Sequence, residues 1–202
     1  MKCARILESL RMYIDAILTA SEIATLLGQF APIRIHLTAT DEDRSWVELE
    51  RPDEVQMVPG RGVRVVCSGR LRYAVAGIKL PLSIRRIQVL LEPKIVELGA
   101  DEQRLDFALH IEDADLENIP GLVDRAIVGK VNDALTPEAT SMLWEFSRTL
   151  ALNVRLPERL EPLEQLLLRA PGGVVSVTHE GVGLRVHLNA GLTRTKPRPT
   201  DD

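Results

Sequence analysis

The sequence predicts an α+β fold in which a long, highly curved antiparallel sheet is rolled around long amphipathic helices. Three observations predict it. Val63, Val65, Cys67, Gly69, Leu71, Tyr73 and Val75 share one parity, with Arg64, Ser68, Arg70 and Arg72 on the other. Extended, that run spans about 40 Å, roughly twice an ordinary strand, and a strand so long must twist and curl. Leu80, Leu82 and Ile84 then share a parity that switches across Arg85-Arg86 to Ile87, Val89 and Leu91. A switch inside a run marks a bulge. Finally, Ile111–Leu135 carries the chain out of an alternating strand (Leu105, Phe107, Leu109, Ile111) into a helix. Ile119, Leu122, Val123, Ala126, Ile127, Val131 and Leu135 recur on one face of it.

From the N-terminus, residues 3–28 read as an amphipathic helix with Ile6, Leu7, Leu10, Tyr13, Ile14, Ile17, Leu18, Ala24 and Leu27 in one stripe and Gly28 as its stop. Strands fill 32–112. Pro32 opens the first, where Ile33, Ile35, Leu37 and Ala39 alternate, and Asp41–Arg44 is a turn. Trp46–Glu50 and Glu54–Val58 read as two short strands separated by Pro52-Asp53. Gly69 is the easiest place for a bend in the long run, and Pro93 marks an edge or bend. Central helices are expected over 118–149. Asn118 caps the first and Pro120 costs it no hydrogen bond. Thr136-Pro137 either starts a second helix or kinks the first, with Ala139, Met142, Leu143, Phe146 and Leu150 apolar. C-terminal strands occupy 150–190, ending in a hairpin across Glu180-Gly181. Pro157–Ala170 suits a short helix except for Pro162. Residues 1–190 form one domain on this reading, and 191–202 a flexible tail.

The composition narrows the function. Aromatics are 3%, so stacking platforms for single-stranded nucleic acid are not expected. The net charge of −4 offers no general positive field, and nucleic acid is not expected as a partner. Cys3 and Cys67 form no CxxC, and Cys67 among valines reads as a small buried hydrophobe. Glu8, Arg11 and Asp15 interrupt any signal-peptide core, and no run reaches the roughly 20 apolar residues of a membrane span. A cytoplasmic location is therefore expected, export staying open if residues precede Met1.

No catalytic motif is present, and no enzyme activity is expected. His36, His110 and His187 fall on outward parities, His179 beside a turn, and Ser68, Ser83 and Ser176 lack a nucleophile-elbow context. Glu112, Asp113, Asp115 and Glu117 fit the dipole of the following helix, and lack the glycine turn of a calcium loop. No metal or cofactor is expected beyond a bound lipid or fatty acid. Arg64, Arg70, Arg72, Arg85 and Arg86, with Arg61 nearby, read either as a solvated sheet face or as contacts for anionic head groups or an acidic partner.

The order of elements resembles the tubular lipid-binding (TULIP) superfamily. This superfamily includes bactericidal/permeability-increasing protein, the synaptotagmin-like mitochondrial lipid-binding domains and bacterial lipid-binding families. Leu105–Leu135 (LDFALHIEDADLENIPGLVDRAIVGKVNDAL) and Leu150–Leu188 carry the resemblance. It implies a bent sheet around long helices, with an aliphatic seam for acyl chains and no catalytic residues. The expected function is noncatalytic binding or transfer of a hydrophobic ligand. The inward parity nominates Val65, Leu71, Val75, Leu82, Ile84, Val89, Leu109, Val123, Ile127, Val186 and Leu188 as its lining. The alternative is a structural or protein-interaction module with a filled core. A second copy of the chain and peripheral membrane contact complete the expected partners. Patterning is identical for a slot and a filled seam.

Overall fold

A computed structural model of the 202-residue chain describes residues 6–36, 45–75, 78–99, 102–117, 121–135, 142–160 and 163–194. Long strands dominate it. The larger sheet has six strands in chain order: β2 (Ile33–His36), β3 (Trp46–Val58), β4 (Gly62–Val75), β5 (Ile78–Gly99), β6 (Glu102–Leu116) and β7 (Met142–Trp144). The smaller has four, in the order β1 (Ile6–Leu18), β10 (Val182–Arg194), β9 (Leu163–Val177) and β8 (Leu152–Arg155). Every pairing is antiparallel. Helices α1 (Ala20–Phe30), α2 (Gly121–Ala134) and α3 (Phe146–Thr149) are short, at 11, 14 and 4 residues.

The expected long run is β4, and the parity switch is a real bulge. Cys67 pairs with Ile87 but Gly69 pairs with Ile84, so β5 carries an extra residue at Arg85-Arg86. Against β6 the same place shifts again, between the Ile84–Leu116 and Arg86–Asp115 pairs. The insertion returns Ile84, Ile87 and Val89 to the core, where all three are buried. Gly69 has no freedom to change: a Cβ there would run into the Glu48 carbonyl oxygen. The sheet curls strongly. A flat sheet would hold β2 and β6 about 19 Å apart, yet Ile33 and Ile35 share one small cavity with Phe107 and Leu109.

Several helical expectations are overturned: the curled antiparallel sheet is present, but the helices that lie on it are few and short. The helix expected over 3–28 is strand β1 followed by α1. The reason lies in Thr19-Ala-Ser-Glu22, a capping box that starts a helix at residue 20. The Thr19 amide donates to the Glu22 carboxylate at 2.8 Å, and the Glu22 amide donates back to the Thr19 hydroxyl. β1 is an edge strand with apolar residues on both faces, so it shows no clean alternation. Pro32, rather than Gly28, bounds α1, which runs on to Phe30. Among the described residues of 118–149, the helical expectation holds for α2 and for the single turn of α3. Met142 and Leu143 belong to β7, which pairs with β6, and Phe146 opens the one-turn α3. Trp46–Glu50 and Glu54–Val58 are one strand, β3, with irregular pairing around Pro52. Pro157–Ala170 holds a 3-10 turn at Glu158–Leu160 and the first half of β9. Residues 191–194 of the expected tail belong to β10. Leu37, Ala39, Asp41–Arg44, Asn118, Pro120, Thr136, Pro137, Ala139 and 195–202 lie outside the described residues.

The two sheets meet where β9 crosses β5 and β6. One cluster there joins Leu105 of β6, Phe146 of α3, Ala170 of β9 and Leu184, Val186 and Leu188 of β10. A larger cluster covers the inner face of β3–β6 under α1 and α2.

Candidate functional site

The inner face of the six-stranded sheet has two halves, each covered by one helix. Under α2, Ile127, Val128 and Val131 descend onto Leu71, Ile84, Ile87, Ile111 and Leu116, and the remaining void is about 10 Å³. α2 is also bonded to the sheet. The Asn132 amide accepts from the Ile111 N–H at 2.9 Å and donates to the Ile111 carbonyl at 2.8 Å. Among the described residues β7 pairs with β6 only at Leu105–Phe107, and Asn132 satisfies both backbone groups of Ile111 beyond that pairing.

Under α1 the packing is looser. Leu27 of α1, Ile33 and Ile35 of β2, Leu49 and Pro52 of β3, and Val65 and Cys67 of β4 surround a cavity of about 90 Å³. Val89, Leu91, Phe107 and Leu109 complete it. Among the described lining residues Glu50 is the only charged one, and its carboxylate is taken up by Arg70 at 3.4 Å. No residue of α1 is buried.

The nominated lining residues are thus divided. Val65, Val89 and Leu109 line the open cavity. Leu71, Ile84 and Ile127 lie in the filled half, and Leu82 packs against the same cluster. Val186 and Leu188 sit in the cluster between the sheets. The side chains of Val75 and Val123 lie outside the described part. Sequence reasoning left out Leu27, Ile33, Ile35, Cys67, Leu91 and Phe107. The alternation of Ile33 and Ile35 carried the signal, and only the curl of the sheet brings it to the same place as Phe107.

The arginines do not form an uncompensated positive face. Arg64 donates to Glu112, which Arg61 also approaches at 3.6 Å. Arg70 reaches Glu48 at 2.9 Å and Glu50 at 3.4 Å, and Arg85 reaches Asp115 at 3.3 Å. Glu48 is 4% exposed and is held from its other side by Arg34, whose guanidinium stacks over Trp46. Arg72 and Arg86 are exposed, with no acidic partner among the described residues. The hydrogen bond from Arg64 holds the Glu112 carboxyl below the usual carboxylate range. Glu112 and Asp115, expected to serve the α2 dipole, instead tie β6 to Arg64 of β4, across β5, and to Arg85 of β5.

Burial, followed by the negative charges of Asp53 and Glu50, pushes the Cys67 thiol up to about 11. It is a neutral wall of the cavity at physiological pH, not a nucleophile. His36, His110, His179 and His187 are exposed on four separate segments. The described residues hold no group of three metal-ligating side chains, and no described helix is long and apolar enough to cross a membrane.

No protein-family model and no curated protein matches this chain. Among solved structures it is similar to the crystal structure of lipopolysaccharide binding protein, at 15% identity and a TM-score of 0.37. The match covers 94% of this chain and 55% of that one, so the chain spans about half its length. A superposition this loose carries no inference about ligand or mechanism.

Proposed function

We propose that the protein is a noncatalytic binder of a hydrophobic ligand, taking the end of an acyl chain into the cavity under α1. The open aliphatic cavity of about 90 Å³ carries this reading. Its described walls are aliphatic side chains, one proline, one aromatic ring and a neutral thiol, and the carboxylate of Glu50 is paired with Arg70. That lining suits hydrocarbon and offers nothing to orient a polar substrate.

Size sets how the ligand binds. An apolar cavity of about 150 Å³ accommodates benzene, so by proportion this one admits three or four carbons. At about 0.8 kcal/mol per buried CH₂, that supplies roughly 3 kcal/mol, enough only for millimolar binding. Tighter binding requires α1 to lift and let more of the chain follow. α1 is suited to this, because its cap is internal to the helix and none of its residues is buried.

Native mass spectrometry of the purified protein, followed by organic extraction, tests the proposal. A discrete added mass that extracts as fatty acid or phospholipid, and that disappears in Val89→Trp, supports it. A clean mass that stays unchanged after incubation with mixed lipids overturns it. The module with a filled core would then be the better reading, and the closed half under α2 is the observation that favours it.

A further inference from the structure

We propose that β1 is a self-pairing edge, through which two copies of the chain join antiparallel about a two-fold axis at Tyr13, merging their smaller sheets into one. β1 is 13 residues long and lies at one end of its sheet, whereas β8 at the other end has only four. Its register with β10 pairs Met12 with Leu188, Ile14 with Val186 and Leu18 with Val182. These positions share a face with the buried β10 row, yet Met12, Ile14 and Leu18 are exposed, and Leu10 is 68% exposed. Tyr13 and Ile17 are exposed on the opposite face. A long strand that is apolar on both faces and has no outer partner among the described residues is a template for another strand.

Charge selects the partner and the register. Arg11 and Asp15 lie two residues on either side of Tyr13, on the same face. Antiparallel self-pairing centred on Tyr13 sets Arg11 opposite Asp15 of the second copy, twice by symmetry, and Met12 opposite Ile14. A one-residue slip would exchange the two faces. Centring on Arg11 or on Asp15 would oppose like charges. Asp15 already accepts from Arg185 of β10 at 2.7 and 3.0 Å. A carboxylate has acceptor sites to spare, so Arg11 of the second copy completes an Arg–Asp–Arg row across three strands. Among the described residues Arg11 has no other acidic partner.

Sedimentation velocity tests the pairing on the full chain with Cys3→Ser. The expected result is a dimer whose dissociation constant rises roughly 10- to 100-fold in Arg11→Glu. Mixing Arg11→Glu with Asp15→Lys should restore association, because each charge then meets its opposite. A second readout does not depend on charge. Directly opposed residues of antiparallel strands have Cα atoms about 4.5–5.5 Å apart, within disulfide range. Tyr13→Cys should therefore oxidise to a covalent dimer. Ile17→Cys, about 27 Å from its counterpart at the usual rise per residue, should not. A monomer at every concentration reached would overturn the proposal. So would a dimer that is indifferent to Arg11→Glu, or one in which Tyr13→Cys fails to cross-link.

Discussion

Under α2 the inner face of the larger sheet closes to about 10 Å³, while under α1 the same face leaves about 90 Å³ open. Both covers are amphipathic helices lying on aliphatic strands, so composition does not account for the difference. Reach and attachment do. α2 presses three branched residues into the face, with Val131 buried, and Asn132 bonds it to both backbone groups of Ile111. α1 offers the face only Ile23 and Leu27, each partly buried, and its cap is bonded within itself. Here the aliphatic face closes into a core where its cover is both wide and fastened, and keeps a cavity where it is neither.

The contrast can be broken by substitution. The largest effect is expected for Ile87→Ala in the filled half, which should cost about 2–5 kcal/mol by denaturant unfolding. A smaller cost would mean that half is also loose. Next comes an enlargement made in both halves. Ala114→Leu lines the filled void and should cost about 1–3 kcal/mol through overpacking. Val65→Leu points into the open cavity, should cost under about 1 kcal/mol, and should diminish ligand loading. Equal costs at the two sites would erase the distinction. Asn132→Ala should cost about 1–3 kcal/mol by leaving two backbone groups of β6 without their partner, and should speed amide exchange at Ile111. The last test falls on the loose cover. Thr19→Ala should cost about 1 kcal/mol, while accelerating exchange of bound fatty acid. Slower exchange would show that α1 does not gate the cavity.

Much of the sheet was legible because its physics is local. The β4 alternation and the parity switch at Arg85-Arg86 follow from a two-residue repeat, which any register must obey. β1 was misread because an edge strand exposed on both faces has no such repeat, and Leu10, Tyr13, Ile14 and Ile17 also satisfy helical spacing. The correcting signal was the capping box at Thr19 and Glu22, which forbids a helix running through from residue 3. The site was legible only in part. Parity places Val65 and Leu71 on one face of β4, but one meets a cavity and the other the filled half. That outcome depends on helices distant in sequence, and on Asn132, whose role no spacing rule marks. The arginines were legible as one face of the strands, but their neutralisation needed the register that brings Glu48, Glu112 and Asp115 alongside.

The most direct test is a methyl NMR titration with dodecanoic acid, following the two halves in the same sample. The account predicts shifts at Val65, Val89, Leu91 and Leu109, with the methyl groups of Ile84, Ile127 and Val131 unmoved. Shifts spread equally over both halves, or confined to the residues under α2, would contradict it.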